Sequence, residues 1–395
     1  MPVEAQITDI DLSALTAGRS YHPSPTAWDD EILYFMMLDR FSDGRESDYI
    51  ANDGTPQAAG LTATTPVFTD ADRDNAIASD ADAARWRDAG AGWCGGTLKG
   101  LTSKLGYLKR LGITAIWVRP IFKQVAFQET YHGYGIQDFL DVDPHFGTRE
   151  DLQALVSTAH AMGIRVILDI ILNHSGNVFS YDADRYPTDR PDVFDPRWDG
   201  RPYRVEGFND RNGRPLIPFD ILPAEIPDEP TDDAIWPREF QDPATFTARG
   251  KISGWDNYPE YLEGDFFDLK DIRLGEGVID TYQPSAALKA LCDVYRFWIA
   301  FADVDGFRVD TVKHMDQGAA RYFGSVIHEF AQTLGKDKFY LIAEIAGGRD
   351  RAYDTLETTG LNAALGIDDI PAKLERIPKG RCNPSEYSTY SAIRS

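Results

Sequence analysis

Short, continuous apolar runs punctuate the chain, and each stops at a polar residue. Ile32 to Leu38 runs into Asp39-Arg40, and Thr114 to Val118 into Arg119-Pro120. Arg165 to Leu168 continues through Asp169 towards Asn173-His174. Val304 to Val309 ends at Asp310, and Phe339 to Ala343 at Glu344. Unbroken runs of ~4–8 apolar, β-branched or aromatic residues are the pattern of strands buried on both faces. Between them the spacing is helical. Leu98, Leu101, Leu105, Leu108 and Leu111 predict one helix from Leu98 to Leu111. Thr148-Arg149-Glu150-Asp151 predicts an N-cap followed by first-turn acids, with Gly163 as the stop. Ala286 to Ala302 places Leu288, Leu291, Cys292, Tyr295, Trp298 and Ile299 on one side, and Gly318 to Leu334 forms a further helix. This alternation predicts a parallel sheet with helices outside it. Five strands are readable, and Leu361 to Ile367 supplies a sixth.

Two stretches break the rhythm. Residues 44–96 are polar and lie between the first strand and its helix. Residues 175–265 carry many Pro, Asp and Arg with scattered aromatics. A plain loop of the latter length is unusual in a compact domain, so a small inserted domain is expected there.

Composition narrows the partners. Acids outnumber bases 63 to 40, a formal net charge of −23. Nucleic acids and anionic membranes both call for a basic surface, so neither is expected as partner. The aromatic share of 12% suits sugar stacking and a packed core equally. Cys94, Cys292 and Cys382 are odd in number and widely spaced, which indicates neither a disulfide framework nor a zinc site. No basic start or apolar leader run is readable, so a cytoplasmic location is expected. The oligomeric state is left open.

The chemistry is expected where the strands stop, because a parallel barrel forms its active site at their C-terminal ends. Asp169, Asn173, His174, Arg308, Asp310 and Glu344 all fall there. Arg308 and Asp310 are two apart and share one face of a strand. A guanidinium beside Asp310 is expected to lower its pKa and keep it ionised as a nucleophile. Apolar surroundings are expected to raise Glu344, as a general acid requires. Two carboxyl groups in different protonation states are the arrangement of a glycosidase, and a gap of ~5–5.5 Å between them implies retention. A metal-dependent hydrolase finds no His-x-His pair to support it.

These residues resemble the α-amylase family, glycoside hydrolase family 13. Asp169-Ile170-Ile171-Leu172-Asn173-His174 is similar to its first conserved region. Gly306-Phe307-Arg308-Val309-Asp310-Thr311-Val312-Lys313-His314 is similar to its second in full, and Leu341-Ile342-Ala343-Glu344 to its third. Tyr131-His132-Gly133-Tyr134, with Asp138 and Phe146-Gly147-Thr148 following, looks like the loop after the second strand, and Asp39-Arg40-Phe41 like the end of the first. The resemblance implies an α/β fold: a TIM-type (β/α)8 barrel with an inserted domain B after strand 3. It divides the chain into an N-terminal extension (1–27), the barrel (28–174 and 266–395, incomplete at its C-terminal end) and domain B (175–265).

The resemblance also implies roles. Asp310 is the nucleophile, Glu344 the acid/base, and Arg308 orients Asp310. His132 and His174 hydrogen-bond the bound sugar, Tyr134 stacks on it, Lys313 and His314 face the next sugar, and Asp169 supports the site from behind. Asn173, Asp268 and the His314 carbonyl are the implied ligands of a structural Ca2+, hard oxygen donors of the kind calcium takes. The implied activity is that of a retaining α-glycosidase or transglycosidase acting on α-linked glucans or oligosaccharides by double displacement. Trp117 and Trp298 are expected in the core, and His22, His145, His160 and His328 on the surface or on helices. Gly135 follows Tyr134 where many family members carry Trp, which implies a more open pocket.

One part of the family pattern has no counterpart. The fourth region, ending in Asn-His-Asp, supplies a third carboxylate, and no histidine follows Glu344. The expectation is an incomplete, weakly active or inactive chain of an otherwise normal enzyme. Completion by another chain and a non-catalytic, amylase-like carbohydrate-binding protein are the alternatives.

Overall fold

The computed structural model describes residues 2–60, 81, 84, 90, 92–182, 196–220, 229–365 and 375–385. Six parallel strands form its main sheet: β1 (Leu33–Met36), β2 (Ala115–Val118), β3 (Arg165–Ile170), β4 (Gly306–Val309), β5 (Tyr340–Glu344) and β6 (Ala363–Leu365). They lie side by side in chain order, Phe35 against Trp117, Trp117 against Ile167, Arg308 against both Asp169 and Ile342, and Glu344 against Leu365. Sequential parallel strands with helical crossovers make the wall of a TIM-type barrel. Among the described residues β1 and β6 do not pair with each other, so the wall stays open there. Leu33 and Phe35 are consequently exposed at its edge. The strand expected over Leu361 to Ile367 is seen as Ala363–Leu365, and positions 366–367 fall outside the described residues.

Among the described residues the α-helices of six residues or more are α1 (Leu98–Ser103), α2 (Leu105–Arg110), α3 (Arg149–Ala161), α4 (Ala286–Ala302), α5 (Gln317–Thr333) and α6 (Arg349–Thr359). Thr148 and Asp151 form a reciprocal capping box at the start of α3. In α4 the apolar residues are buried almost all round, as befits a helix pressed between sheet and neighbours. Its Trp298 is in the core as expected, with its indole N–H donating to the Phe139 carbonyl at 2.8 Å. The single helix expected over Leu98 to Leu111 is broken at Lys104. The cause is Asn52, whose amide N–H2 donates to Thr102 O (2.7 Å) while its Oδ1 accepts Gly106 N–H (2.8 Å). One distant side chain thus replaces the Gly106-to-Thr102 rung of the helical ladder, a recognised origin of kinks.

Ile136–Val142 is a buried strand that the sequence pattern hides, because Asp138 and Asp141 interrupt its apolar run; it pairs antiparallel with Phe122–Gln124. Beyond β3 the chain leaves the barrel wall. His174–Ser175 pairs antiparallel with Lys270–Asp271, and Phe179–Tyr181 with Val205–Phe208. Phe179 packs on Phe219 and Phe246 at ring distances of 5.3 and 5.1 Å. None of the three cysteines forms a disulfide. Among the described residues no helix is long and apolar enough to cross a membrane.

Candidate active site

The strand ends converge on one guanidinium. Arg308 Nη1 lies 2.6 Å from Asp310 Oδ1 and 2.8 Å from Asp169 Oδ1, and its Nη2 lies 2.8 Å from Glu344 Oε1. Register explains the meeting: Arg308 pairs with Asp169 on one side of β4, and β5 on the other side ends in Glu344. Directly after Asp310 the backbone turns through a left-handed Thr311 (φ 49°, ψ 38°), a rare conformation for a β-branched residue. The turn aims the Thr311 N–H at Glu344 Oε2, 3.1 Å away.

Three carboxyl groups share one cation, and burial is the larger influence on each. Asp169 is pushed up to about 7 by burial, against the pull of Arg308. Asp310 is raised too: burial outweighs the guanidinium. The expectation that Arg308 would hold Asp310 below the usual range is therefore corrected. The cation is in place, but it is divided among three partners in a dry site. Glu344 is raised by burial, as a proton donor requires, and a side-chain hydrogen bond with Asp310 raises it further while lowering Asp310.

A cleft of about 590 Å³ opens in front of Asp310. His132, Tyr134 and His174 line it. Burial lowers His174 to about 3 and His132 to about 4, so both rings are neutral. His174 Nε2 stands 3.9 Å from Asp310 Oδ2 and makes no hydrogen bond, an orphaned buried group that a sugar hydroxyl would satisfy. The Tyr134 ring stacks on His132 and carries Arg119 above it at 4.7 Å. Lys313 reaches out to Asp256 (2.7 Å), and the His314 ring packs edge-on against Phe266. Gly135 does not widen the pocket. A Cβ there would come within 2.7 Å of Thr130 Cγ2, so the space is already filled.

Sequence reasoning missed two groups of residues here. Trp255 and Phe267 stand exposed at the cleft rim, their rings 5.7 Å apart, with Phe267 held in a left-handed backbone turn (φ 36°). Exposed aromatics beside a cleft signal ligand contact, but in sequence they are indistinguishable from core residues. Trp117, expected in the core, instead lies beneath the charges and donates its indole N–H to Asp169 Oδ2 at 3.1 Å.

The implied metal ligands are only partly brought together. Asn173 Nδ2 meets the His314 carbonyl at 2.9 Å, but Asp268 is exposed and faces Lys251 at 3.6 Å. The acid that joins Asn173 is Asp271, at 3.1 Å. The pairing of Lys270–Asp271 with His174–Ser175 puts Asp271 there, and no local signal distinguishes it from Asp268. Asp271 is fully buried, its carboxyl is raised by burial, and its Oδ2 has no hydrogen-bond partner. An orphaned carboxylate oxygen beside an amide and a carbonyl suits a hard cation.

Comparison with known proteins agrees with this geometry. Residues 39–333 match the family model of the α-amylase catalytic domain. An α-amylase of Streptomyces lividans is 36% identical over 262 residues, covering 64% of this chain and 27% of that protein. A cyclomaltodextrin glucanotransferase of Klebsiella oxytoca is 28% identical, covering 89% of this chain and 44% of its own length. The chain thus spans less than half the length of these two relatives. Among solved structures, the α-amylase of Geobacillus thermoleovorans complexed with acarbose superposes with a TM-score of 0.52 at 25% identity, covering 86% of this chain and 52% of that one. A three-domain cyclomaltodextrin glucanotransferase gives 0.53 at 26% identity, covering 85% and 56%.

Proposed function

The chain belongs to the α-amylase family, and from that premise we propose that it carries the reacting groups of a retaining α-glycosidase or transglycosidase acting on α-linked glucans or oligosaccharides. The observation that carries this reading is the trio of Asp310, Glu344 and Asp169 on the single guanidinium of Arg308, with Asp310 facing an aromatic-rimmed cleft. Asp310 attacks the anomeric carbon as the glycosidic C–O bond breaks, and the proton of Glu344 goes to the leaving oxygen. Glu344, now a carboxylate, takes a proton from water or a second sugar's hydroxyl. That oxygen displaces Asp310 from the glycosyl ester. Arg308 holds both carboxyl groups in place, His174 and His132 receive the sugar's hydroxyls, and Tyr134 lies against its ring. Trp255 and Phe267 offer faces to an incoming acceptor sugar, which would favour transfer over hydrolysis.

Calcium belongs to the same proposal. Asn173, Asp271 and the His314 carbonyl would hold it, with Asp271 in the place assigned to Asp268. It would neutralise Asp271 and clamp the segment around Lys270–Asp271 to the end of β3. The stretch 175–265 is proposed as a separate inserted domain.

A second reading has one observation behind it. Burial raises Asp310 against the pull of Arg308, which weakens it as a nucleophile, as a sugar-binding protein without turnover would allow. One experiment separates the two. Incubation with 5-fluoro-α-glucosyl fluoride should leave a covalent adduct on Asp310, read by intact and peptide mass. Asp310→Asn should abolish it, a loss of at least about 10³-fold, while retaining maltotriose binding. Maltotriose binding without adduct in the wild-type chain would favour the second reading.

A further inference from the structure

One cation faces three carboxyl groups, and with all of them ionised the buried site would carry a surplus of two negative charges. Burial resists this, so the trio retains a proton. Only one location serves the chemistry: Glu344 has to carry it and Asp310 has to be free of it. Asp169 is the competitor, because it is the most deeply buried of the three.

The hydrogen bonds that Asp169 accepts oppose the rise that burial imposes on it. Its Oδ1 accepts from Arg308, and its Oδ2 accepts from Trp117 Nε1 (3.1 Å) and Tyr134 OH (3.2 Å). A phenol can reverse and accept, whereas an indole N–H only donates. A proton on Oδ2 could be received by the Tyr134 oxygen but not by the indole, and it would weaken the bond that Oδ2 accepts from Trp117. The indole is held in place from two sides, with Phe35 packed against it at 4.3 Å and the Arg308 guanidinium over its face at 5.1 Å. The titratable and charged groups facing Asp169 are Arg308 and Asp310 from β4, Tyr134 with Arg119 behind it, Tyr295 from α4, and Glu344 through Arg308. Among these polar contacts Trp117 is the neutral group that cannot exchange its role.

We propose that Trp117 is a positioning residue whose indole N–H holds Asp169 as the carboxylate and so leaves the proton of the trio on Glu344. This rests on the reading of Asp310 and Glu344 as the reacting pair. It assigns a proton-directing task to a side chain that touches no sugar, and it makes β2 part of the active site.

Trp117→Phe keeps an aromatic face under Arg308 and deletes the N–H. Replacing Trp117 by benzothienylalanine does the same with the bicyclic shape intact, should the phenylalanine variant fold poorly. The readouts are the pH dependence of adduct formation with 5-fluoro-α-glucosyl fluoride, and the titration of Asp169 followed by ¹³C NMR of its carboxyl carbon. Losing a donor to a carboxylate should move both the Asp169 titration and the acid limb of the rate profile upward by about one pH unit. On that limb the adduct should form about tenfold more slowly, while maltotriose affinity stays within about twofold because Trp117 is placed away from the sugar. A limb and a titration that stay put in both variants overturn the proposal, even if the rate falls. Wild-type chain that forms no adduct overturns the assignment of Asp310 and Glu344, and the catalytic role of Trp117 with it; adduct with an unmoved limb overturns Trp117 alone.

Discussion

Strand β4 is bracketed by two buried aspartates with opposite fates. Asp305, just before it, is flanked by Lys336 (3.4 Å), Arg165 (3.5 Å) and His160 (2.7 Å), with Asp303 on Lys336 at 2.6 Å. Asp310, just after it, shares Arg308 with Asp169 and Glu344. Burial pushes both upward. At Asp305 the hydrogen bond to His160 and the charge of Lys336 win, and the carboxyl is held below its usual range; at Asp310 burial wins. The difference lies not in depth but in the number of cations per acid. The N-terminal end of the sheet matches two acids with two cations and a histidine, which suits a structural network. The C-terminal end is short of positive charge and holds a proton, which suits proton transfer.

The comparison is broken most severely by removing a cation from the balanced end. Lys336→Met leaves the buried Asp305 and the half-buried Asp303 without their ammonium and should cost about 3–5 kcal/mol. Thermal unfolding would show it as a fall of at least about 6 °C. Below that temperature, adduct formation at the opposite end should continue unchanged. A shift of a degree or two would mean that the network contributes little.

The overloaded end should respond with the opposite sign. A carboxyl raised on folding favours the fold while protonated, and that contribution is lost as pH rises through its folded value, about 7 for Asp169. Asp169→Asn removes the surplus charge and should raise the melting temperature by about 2–4 °C at pH 8, with the gain shrinking towards pH 5. Equal gains at both pH values would contradict the charge argument. Asp305, held low, behaves conversely: its contribution is complete above the unfolded value and is lost as pH falls through the folded one. Acid unfolding should therefore begin at the N-terminal end.

The smallest effect is expected from an ion pair at the same mouth with one exposed partner. Asp256 faces Lys313 at 2.7 Å but its side chain is three-quarters exposed. Asp256→Ala should move the melting temperature by less than about 1 °C, as screened pairs do. A larger change would show that Lys313 depends on it for more than a surface contact.

The barrel wall and most of the site were legible in the sequence because both are written locally. Unbroken apolar runs mark strands, and polar residues at their ends mark the mouth, so Asp169, Arg308, Asp310 and Glu344 could be placed together before any coordinates. Ile136–Val142 was not legible, since its two acids break the apolar signal although the strand is buried. Asp271 could not be told from Asp268, three residues away, because the antiparallel pairing with His174–Ser175 decides between them.

Sequence by itself determined where strands stop and which charges stand there, because chain periodicity and side-chain chemistry are short-range properties. Tertiary structure alone decided how those charges are shared. Trp117 meets Asp169 across 52 residues and Arg308 meets Asp169 across 139. Asn52 enters the α1–α2 ladder from 50 residues before Thr102. Protonation follows from depth and from the count of neighbouring cations, and both are set only when distant segments pack around the same carboxyl group.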